Sequence, residues 1–486
     1  MNLSRIVAGW AGHLPDKVAL HFHGEDFTYA MLWQRTVAAT VTLAARGIGK
    51  GERVAFLGYN HPDMLVLLLA LSRLGAILVP LNWRLAAAEH RQVVADCAPR
   101  LLVCEPEFAA AAQALSVPML ELSAHWPASG AAAPVHGSDA DDALIVYTSG
   151  TTGRPKGAVL TQSALLWNGF NAIHAHDLGQ ADHVLSALPM FHVGGLNNQT
   201  LPALLAGATV TLHRRFEPGL WLADVARRRP SLSLLVPATM QAVIAHADWA
   251  STDLGSLRML STGSMVVPGS LIHAFHARGV PVGQIYGSTE TAPIAAVLLR
   301  EDAMARVGST GKPALHCEVR VVADDTGAEA ANDVVGEVWV RGPNLMRCYW
   351  NDPDATRAVM HDGWFRTGDL ARRDADGFLW IAGRARELII SGGENIHPAE
   401  LENVLADCAD IAESAVVGIA DPKWGEAACA CVVAKPGAKL DEAGVLALFS
   451  DRLARFKHPR RVVFLDALPK NALGKVQKHE LRKSVG

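Results

Sequence analysis

The sequence has few of the features that mark a secreted, metal-binding or nucleic-acid-binding protein. Its 486 residues include only seven cysteines, and none of them belongs to a CxxC pair or a Cys/His cluster. This usage argues against a disulfide scaffold or a zinc site and favours reduced thiols in a cytoplasmic protein. An excess of one charge is also lacking, since 44 basic and 48 acidic side chains leave a formal net charge of −4. The charge therefore gives no electrostatic reason to expect nucleic acid as a partner.

A long uninterrupted apolar run is missing as well. Met64 to Leu81 is the most apolar segment, but Ser72, Arg73 and Gly75 interrupt it. We therefore predict a buried helix at about residues 62–73 and a strand at 76–80, not a transmembrane segment. The first residues lack the basic-then-apolar pattern of a signal peptide. Half of all residues are hydrophobic and 19% are charged, which is typical of a globular protein with an ample core.

The richest local pattern is Tyr147-Thr-Ser-Gly-Thr-Thr-Gly-Arg-Pro-Lys-Gly157, which directly follows the apolar run 143–146. Glycines let successive backbone amides point into one concavity, hydroxyls add donors, and a lysine adds positive charge. A flexible surface loop has a similar composition, and the Walker spacing is missing. The density of donors nevertheless favours a phosphate site. Its predicted ligands are Thr148, Ser149, Gly150, Thr151, Thr152, Gly153 and Lys156.

Short β-branched runs alternate with helical stretches along most of the chain, which predicts an α/β protein with largely parallel, covered sheets. A turn-rich texture at 318–340 predicts a smaller β subdomain, and Ala-, Pro- and Ser-rich residues 109–135 are expected to connect lobes at the surface. At 486 residues, two or more domains are expected. In the last hundred residues we predict helices at 398–406 and 445–453 and strands at 413–419 and 428–433.

Five motifs occur in an order that resembles one known family. The phosphate loop is followed by Tyr286-Gly-Ser-Thr-Glu290, Gly363-Trp-Phe-Arg-Thr-Gly-Asp369, the run 383–400 and Leu468-Pro-Lys-Asn-Ala-Leu-Gly-Lys475. This set resembles the adenylate-forming superfamily, which includes acyl-CoA and aryl-CoA synthetases, peptide-synthetase adenylation domains and beetle luciferases. The resemblance runs from Tyr147 almost to the C-terminus.

The resemblance implies an α/β fold with a large N-terminal domain and a mobile lid. The N-terminal AMP-binding domain would span 1–385, with two parallel-type αβα sheets and a small β subdomain. An α+β lid at 386–486 would carry the catalytic lysine. Arg386 would be the hinge, where similar sequences usually carry Asp or Lys. A hinge needs only a few residues that absorb a large backbone rotation.

Activation of a carboxylate by ATP needs stabilised charge on the phosphates and a cation at the reacting centre. Glu290 is a hard oxygen ligand suited to Mg²⁺, and by resemblance Thr152 lies near that ion and Thr289 contacts the α-phosphate. Tyr286 offers a ring for stacking on adenine. By resemblance Lys475 drives adenylation, Asp369 accepts both ribose hydroxyls, and Arg384 contacts the nucleotide. Four further positions are implied to bind ATP or AMP: Gly263, Ser264, Gly287 and Ser288.

For transfer to a thiol, the resemblance implies that the lid rotates and admits the pantetheine arm of coenzyme A past Ser391, Gly392 and Gly393, where missing side chains leave room. Trp424, Phe456 and Arg460 fall where aryl-CoA ligases contact coenzyme A. His458 stands where a basic residue is more usual. For Trp424, Phe456, His458 and Arg460, the alternative interpretation is ordinary packing or surface charge with no contact to coenzyme A.

The acyl pocket is expected to be apolar and uncharged. By resemblance its lining includes His192, Val193, Gly194, Thr239, Gly263, Thr262, Ser264, Gly287, Ala292, Pro293 and Ile294. An amino group or second carboxylate would be stranded there at a cost of several kcal/mol, which favours a monocarboxylate with an aromatic or fatty body. The alternative interpretation of His192 is a buried histidine that makes its hydrogen bonds within the protein and does not contact the acyl group.

The sequence therefore predicts an ATP-dependent acid–thiol ligase that uses ATP, Mg²⁺ and coenzyme A. Its partners are a small-molecule carboxylate, ATP and coenzyme A. Two alternatives stay open: an acyl-adenylate former that loads a carrier protein, and an inactive nucleotide-binding regulator. The sequence also leaves open whether the chain forms a homodimer.

Overall fold

The computed structural model describes residues 2–122, 126, 134–148, 155–265, 267–323, 327–391, 394–422, 424–450, 452–471 and 474–486. The strands, in chain order, are β1 Val18–Phe22, β2 Glu25–Thr28, β3 Arg53–Leu57, β4 Ile77–Leu81, β5 Leu101–Cys104, β6 Met119–Glu121, β7 Asp142–Thr148, β8 Lys156–Thr161, β9 His183–Ser186, β10 Thr209–Leu212, β11 Leu232–Leu234, β12 Met259–Gly263, β13 Val282–Tyr286, β14 Ala296–Val297, β15 Lys312–Pro313, β16 Glu318–Val322, β17 Gly336–Arg341, β18 Cys348–Tyr349, β19 Met360–His361, β20 Trp364–Arg373, β21 Leu379–Arg384, β22 Ile389–Ser391, β23 Glu394–Ile396, β24 Ile411–Asp421, β25 Gly425–Ala434 and β26 Arg461–Phe464.

The helices follow the same order. They are α1 Ser4–His13, α2 Tyr29–Ala45, α3 Pro62–Leu74, α4 Ala87–Cys97, α5 Ala109–Gln113, α6 Gln162–His176, α7 Val193–Gly195, α8 Leu201–Ala206, α9 Pro218–Arg228, α10 Pro237–Ile244, α11 Gly269–His276, α12 Arg300–Ala303, α13 Pro353–Val359, α14 Pro398–Ala406, α15 Glu442–Ala447 and α16 Lys478–Val485. Short 3₁₀ turns cover Pro106–Phe108, Ala247–Trp249, Thr289–Thr291, Ala385–Glu387 and Arg455–Lys457, and a π-helix covers Leu196–Thr200. Among the described helices, none is long and apolar enough to cross a membrane.

Two large sheets form the N-terminal part. One has the order β15-β14-β13-β12-β11-β9-β10-β1-β2 and is parallel from β13 to β1, with antiparallel strands at both edges. The other has the order β18-β8-β7-β4-β3-β5-β6 and is parallel from β7 to β6. Every residue of α3 is buried, and one apolar core joins this helix to strands of both sheets. A helix that is apolar all round is stable only in such an enclosed position.

Two smaller sheets follow. In the first, β16-β17-β20-β19 are antiparallel neighbours, and β21 also pairs with β20. This confirms the β subdomain predicted at 318–340. In the second, β23-β22-β25-β24 form the path and β26 pairs with β25 in parallel. This last sheet, with α14 and α16 beside it, gives the C-terminal unit its own core around Leu401, Val416 and Phe449.

Several predicted bounds are confirmed and others are corrected. Strands 53–57, 101–104 and 209–212 and helix 398–406 match the structure residue for residue. The helix predicted at 445–453 is wrong in position, because α15 spans Glu442–Ala447. Its start is fixed by Asp441, whose side chain accepts a hydrogen bond from the Gly444 amide. Such a cap outweighs the apolar pattern that follows. Residues 109–135 were predicted as a surface connection, but their described part includes α5 and the edge strand β6.

A stability prediction follows from Asp224, a buried carboxylate on a helix of the N-terminal part. Asp224 lies on α9 with its side chain 6% exposed, and it accepts hydrogen bonds from His213 Nε2 (2.8 Å) and Arg227 Nη2 (2.7 Å). Burial raises the pKa of this carboxyl, but the two donors outweigh burial and lower the pKa to about 2. A depressed carboxyl pKa stabilises the fold above the unfolded-state value near 4. That contribution, about 2 kcal/mol, is lost as the pH falls towards 2.

We expect Asp224→Ala to lower the free energy of unfolding by about 2 kcal/mol at pH 7, because it leaves the buried His213 Nε2 without a partner, whereas the 69% exposed Arg227 can bond to water. The difference from the parent should shrink between pH 5 and pH 2, as measured by urea unfolding. Asp253→Ala is the matched control, since Asp253 pairs with Arg229 in an exposed position. If the difference in unfolding free energy between Asp224→Ala and the parent did not change with pH, the lowered pKa of Asp224 would not contribute to stability.

Candidate active site

The predicted nucleotide residues lie where strands of both large sheets end. Thr148 ends β7, Gly263 ends β12 and Tyr286 ends β13. Ligands of open α/β sheets bind at the carboxyl ends of the strands, so these positions face one crevice. Lys156 is the first residue of β8 and is the register partner of Thr148. Five predicted phosphate ligands between them lie outside the described residues: Ser149, Gly150, Thr151, Thr152 and Gly153.

Asp369 is the centre of a buried polar cluster. It is the cross-strand partner of Arg384, whose Nε lies 2.6 Å from Asp369 Oδ1. The Tyr286 hydroxyl donates to Asp369 Oδ2 at 2.8 Å. Burial raises the pKa of Asp369, against the opposing charge of Arg384. The sequence predicted three separate nucleotide contacts here; the structure joins them into one network.

The carboxylate predicted to hold Mg²⁺ has a partner that sequence reasoning missed. Tyr349 donates from its hydroxyl to Glu290 Oε1 at 2.6 Å. The Nζ of Lys156 lies 5.2 Å from the centroid of the same ring, within the range of a cation–π contact. Burial raises the pKa of Tyr349 far above its usual value, so the phenol stays protonated. One tyrosine therefore connects the phosphate-loop lysine to the predicted metal ligand.

The turn after β13 is tightly built. Gly287 has a φ of 157°, and a Cβ there would lie 1.6 Å from the Pro293 carbonyl oxygen, so no side chain fits. Thr289 is buried on the 3₁₀ turn that also holds Glu290. The buried Ser288 Oγ has no hydrogen-bond partner among the described residues. Ser264, the last of the predicted nucleotide contacts, is exposed with a φ of 74°.

Lys475 reaches this cluster from the C-terminal unit. Its side chain is exposed to solvent, although protein atoms lie on most sides of it. This partial desolvation lowers the pKa of Lys475, with Arg384 adding to the effect and Glu387 and Asp369 opposing it. Arg386, the predicted hinge, also acts on the Lys475 charge. The structure thus brings the predicted lysine, hinge and ribose ligand within electrostatic reach of one another.

His192 lies beside the same charges. Its Nδ1 accepts a hydrogen bond from the Gly194 amide at 2.9 Å. Burial, reinforced by the Lys475 charge, lowers the pKa of His192 to about 4. The ring is therefore neutral at pH 7 and carries its proton on Nε2. It can donate one hydrogen bond from Nε2, but its low pKa makes it a poor general base.

The remaining predicted acyl-pocket positions differ in their surroundings. Val193, Ala292 and Ile294 are buried apolar residues. Thr262 is fully buried, and its hydroxyl has no partner among the described residues. The Thr239 hydroxyl, in contrast, accepts from the Val236 amide at 2.9 Å and so caps α10. A local structural role thus accounts for Thr239.

Two of the predicted coenzyme A residues, Trp424 and Arg460, are in contact on the C-terminal unit. The Arg460 guanidinium lies 4.7 Å from the centroid of the Trp424 ring, and Phe456 is 43% exposed with Lys457 over its face. Ser391 is buried at the end of β22, whereas Gly392 and Gly393 lie outside the described residues. His458 Nε2 donates a hydrogen bond to the Leu453 carbonyl oxygen. This contact within the protein explains the position of the ring, and no ligand is needed to explain it.

Comparison with known proteins assigns the chain to a family. Residues 7–350 match the AMP-binding enzyme family, and residues 400–475 match the AMP-binding enzyme C-terminal domain. The chain belongs to the AMP-binding enzyme family. The resemblance predicted from the five motifs is confirmed, as is an α/β fold with a large N-terminal domain and a smaller C-terminal domain.

Relatives of this AMP-binding enzyme align along nearly their whole lengths. The indoleacetate–CoA ligase of Aromatoleum aromaticum is 48% identical over 502 positions, covering 100% of this chain and 98% of the relative. The feruloyl-CoA synthase of an Amycolatopsis species is 42% identical over 480 positions, covering 97% and 96%. The ATP-bound structure of MatB from Rhodopseudomonas palustris has a TM-score of 0.91 at 32% identity, covering 100% and 99%.

Two residues of this AMP-binding enzyme were missed from sequence, and for a clear reason. Tyr349 stands in Cys348-Tyr-Trp-Asn-Asp-Pro353, a run with no donor or charge pattern that points to Glu290, 59 residues earlier. Glu387 pairs with Lys478 at 3.1 Å beside the predicted hinge. Both are single side chains whose partners are brought together only by the fold.

Proposed function

We propose that this AMP-binding enzyme is an ATP-dependent acid–CoA ligase. It joins a monocarboxylate to AMP with release of pyrophosphate, and then transfers the acyl group to coenzyme A. Two relatives above 40% identity are named for acids with aromatic bodies, indoleacetate and ferulate, whereas a long-chain-fatty-acid–CoA ligase is 34% identical. An aromatic acid is therefore favoured over a fatty acid.

The position of Lys475 carries the proposal. A cation from the C-terminal unit acts on Asp369 and Arg384, at the cluster predicted to hold the ribose. A carboxylate oxygen that attacks the α-phosphorus brings two anions together while pyrophosphate leaves. A positive charge placed between them lowers the energy of that transition state more than that of the bound substrates.

The other residues of the cluster orient the nucleotide. The Asp369 oxygens each keep acceptor capacity beyond their bonds to Tyr286 and Arg384, so the carboxylate can also accept both ribose hydroxyls. The Tyr286 ring is proposed to lie against adenine. His192, neutral with its proton on Nε2, donates towards the acyl group and adds no charge to the pocket.

A Mg²⁺ ion fits the donor set near the phosphates. Glu290 supplies a carboxylate held in place by Tyr349, and Thr152 is proposed as a second oxygen ligand. Mg²⁺ commonly takes only one or two protein oxygens and completes its shell with phosphates and water. When bound, it neutralises charge on the departing phosphates.

The second step needs a different face of the C-terminal unit. We propose that residues 386–486 rotate about Arg386 relative to 1–385, which removes Lys475 and admits the thiol. The thiolate then attacks the acyl carbon and AMP leaves with the electron pair of the broken bond. Trp424, Phe456 and Arg460 are proposed to hold the coenzyme A nucleotide, which suits the exposed Phe456 ring, the half-buried Trp424 ring and the exposed guanidinium of Arg460. A cytoplasmic location agrees with the seven free cysteines of the structure.

The proposal is tested by measuring AMP release from ATP with a panel of arylacetates, cinnamates, benzoates and fatty acids. We expect AMP release that requires the acid, and stable acyl-CoA only when coenzyme A is added. Acyl-AMP that is consumed by an acyl carrier protein but not by coenzyme A would support the carrier-loading alternative. ATP binding without pyrophosphate exchange for any acid would support the inactive regulator.

Tyr349 provides a further prediction about metal binding. We expect Tyr349→Phe to raise the Mg²⁺ concentration for half-maximal pyrophosphate exchange by about three- to tenfold, because it removes one hydrogen bond that orients Glu290. The aromatic face towards Lys156 is kept, so the KM for ATP at saturating Mg²⁺ should change little. Tyr29→Phe is the control, since the Tyr29 hydroxyl bonds to the Ala208 carbonyl in the core. An unchanged Mg²⁺ requirement in Tyr349→Phe would show that Glu290 needs no such support.

A further inference from the structure

The segment after His192 buries an unusual run of polar side chains. The π-helix Leu196–Thr200 contains four consecutive polar residues, each at most 6% exposed: Asn197, Asn198, Gln199 and Thr200. π-Helical turns are rare and are frequent at functional sites. Buried amide atoms without hydrogen bonds destabilise a fold unless water or a ligand group completes them.

Two of these amides are oriented by backbone carbonyls. Asn198 Nδ2 donates to the Gly194 carbonyl at 3.2 Å, and Gln199 Nε2 donates to the Ser233 carbonyl at 3.5 Å. A carbonyl oxygen only accepts, so the nitrogen of each amide must face it. The opposite atoms, Asn198 Oδ1 and Gln199 Oε1, are buried acceptors that receive no hydrogen bond from any residue the structure describes. Asn197 has both amide atoms unpartnered and therefore does not indicate a preference between donor and acceptor.

The two residues that carry these acceptors lie next to the predicted acyl pocket. A Cβ on Gly194 would lie 2.9 Å from His192 Nδ1 and 4.0 Å from Asn198 Nδ2, so the three residues are immediate neighbours. Gln199 lines a small cavity of about 10 Å³ together with Gly194, Gly195 and Leu188. A cavity of this size admits about one water-sized group. Gly195 is needed for this packing, because a Cβ there would lie 2.2 Å from the Pro189 carbonyl oxygen.

We propose that the acid activated by this enzyme carries a hydrogen-bond donor, an N–H or O–H group, on its aromatic body, and that Asn198 and Gln199 recognise it. This inference rests on the proposed acid–CoA ligase function and narrows its substrate class. An ether, ketone or halogen at the same place offers no proton to the two carbonyl oxygens. A plain hydrocarbon leaves both acceptors buried and unpaired, so it binds less well.

The test uses pairs of acids that differ only in the donor. Indole-3-acetate is compared with 1-benzothiophene-3-acetate, in which sulfur replaces the N–H, and 4-hydroxyphenylacetate with 4-methylphenylacetate. We expect kcat/KM for pyrophosphate exchange to favour the donor-bearing acid by about tenfold or more in at least one pair. Equal kcat/KM within both pairs would overturn the inference while leaving the ligase function intact. No exchange with any acid would instead refute the proposed function.

Variants then assign the preference to the two amides. Asn198→Leu and Gln199→Met keep side-chain size and remove the acceptor, and at least one should bring the donor-to-isostere ratio close to 1. Asn168→Leu is the matched control, because both of its amide atoms are partnered, by the Asn197 carbonyl and the Ile294 amide. We expect this control to be less stable because it loses two buried hydrogen bonds, but a ratio of two kcat/KM values does not depend on the folded fraction. A ratio unchanged in both test variants would overturn the role of Asn198 and Gln199.

Discussion

Replacing Lys475 by alanine is expected to lower acyl-AMP formation by at least about a hundredfold, while coenzyme A still consumes supplied acyl-AMP at close to the parent rate. Loss of one group that stabilises developing charge typically costs two to three orders of magnitude. Lys475 lies among Asp369, Arg384 and Glu387, so its charge acts at the nucleotide cluster. Pyrophosphate exchange and thiolysis of synthetic acyl-AMP measure the two half-reactions separately.

The control for this variant comes from the same segment. Lys470 pairs with Glu413 at 2.7 Å within the C-terminal unit, and Lys470→Ala should leave both half-reactions unchanged. The pH dependence gives a second readout. Because the pKa of Lys475 is lowered, its charge should be lost at a lower pH than that of an ordinary lysine, and exchange should fall there while thiolysis does not. Equal loss of both half-reactions in Lys475→Ala would contradict its assignment to adenylation alone.

The sequence predicted the nucleotide residues well because their chemistry is local. Asp369 follows Thr367-Gly368, and Glu290 follows a run of hydroxyls, so each motif carries its own indication of a ligand. The same holds for strands such as Arg53–Leu57, where four consecutive apolar residues, Val54 to Leu57, indicate a buried strand. Because the motifs occur in the same order as in the adenylate-forming superfamily, motifs that lie far apart in the chain could be assigned to one site.

Contacts between distant single residues could not be predicted in this way. The Tyr349–Glu290 bond depends on β18 pairing with β8, and no pattern near Tyr349 indicates that pairing. The two free acceptors of Asn198 and Gln199 were also invisible, because Leu196-Asn-Asn-Gln-Thr200 looks like a polar surface stretch. Only its burial and the direction of each amide reveal that it has unsatisfied acceptors.

Replacing Asp369 by alanine is expected to have two effects with different origins. It removes the acceptor proposed for the ribose hydroxyls, so the Kd for ATP should rise by about a hundredfold, as for other charged hydrogen bonds lost from a site. It also leaves Arg384 without its ion-pair partner. The Arg384 side chain is 33% exposed and also donates to the Thr367 carbonyl oxygen, so we expect the free energy of unfolding in urea to fall by about 1–3 kcal/mol, less than for a fully buried pair.

A second substitution separates the two effects. Replacing a buried ion pair by apolar residues is often nearly neutral, so Asp369→Ala combined with Arg384→Met should recover most of the lost stability. ATP binding should not recover, because the ribose acceptor is still missing. Glu318→Ala is the control in the same subdomain; its partner Arg341 is exposed, and both measurements should stay at the parent values. If the double variant regained ATP binding together with stability, Asp369 would act only by compensating the Arg384 charge and stabilising the fold, and the ribose contact would have to be assigned to another residue.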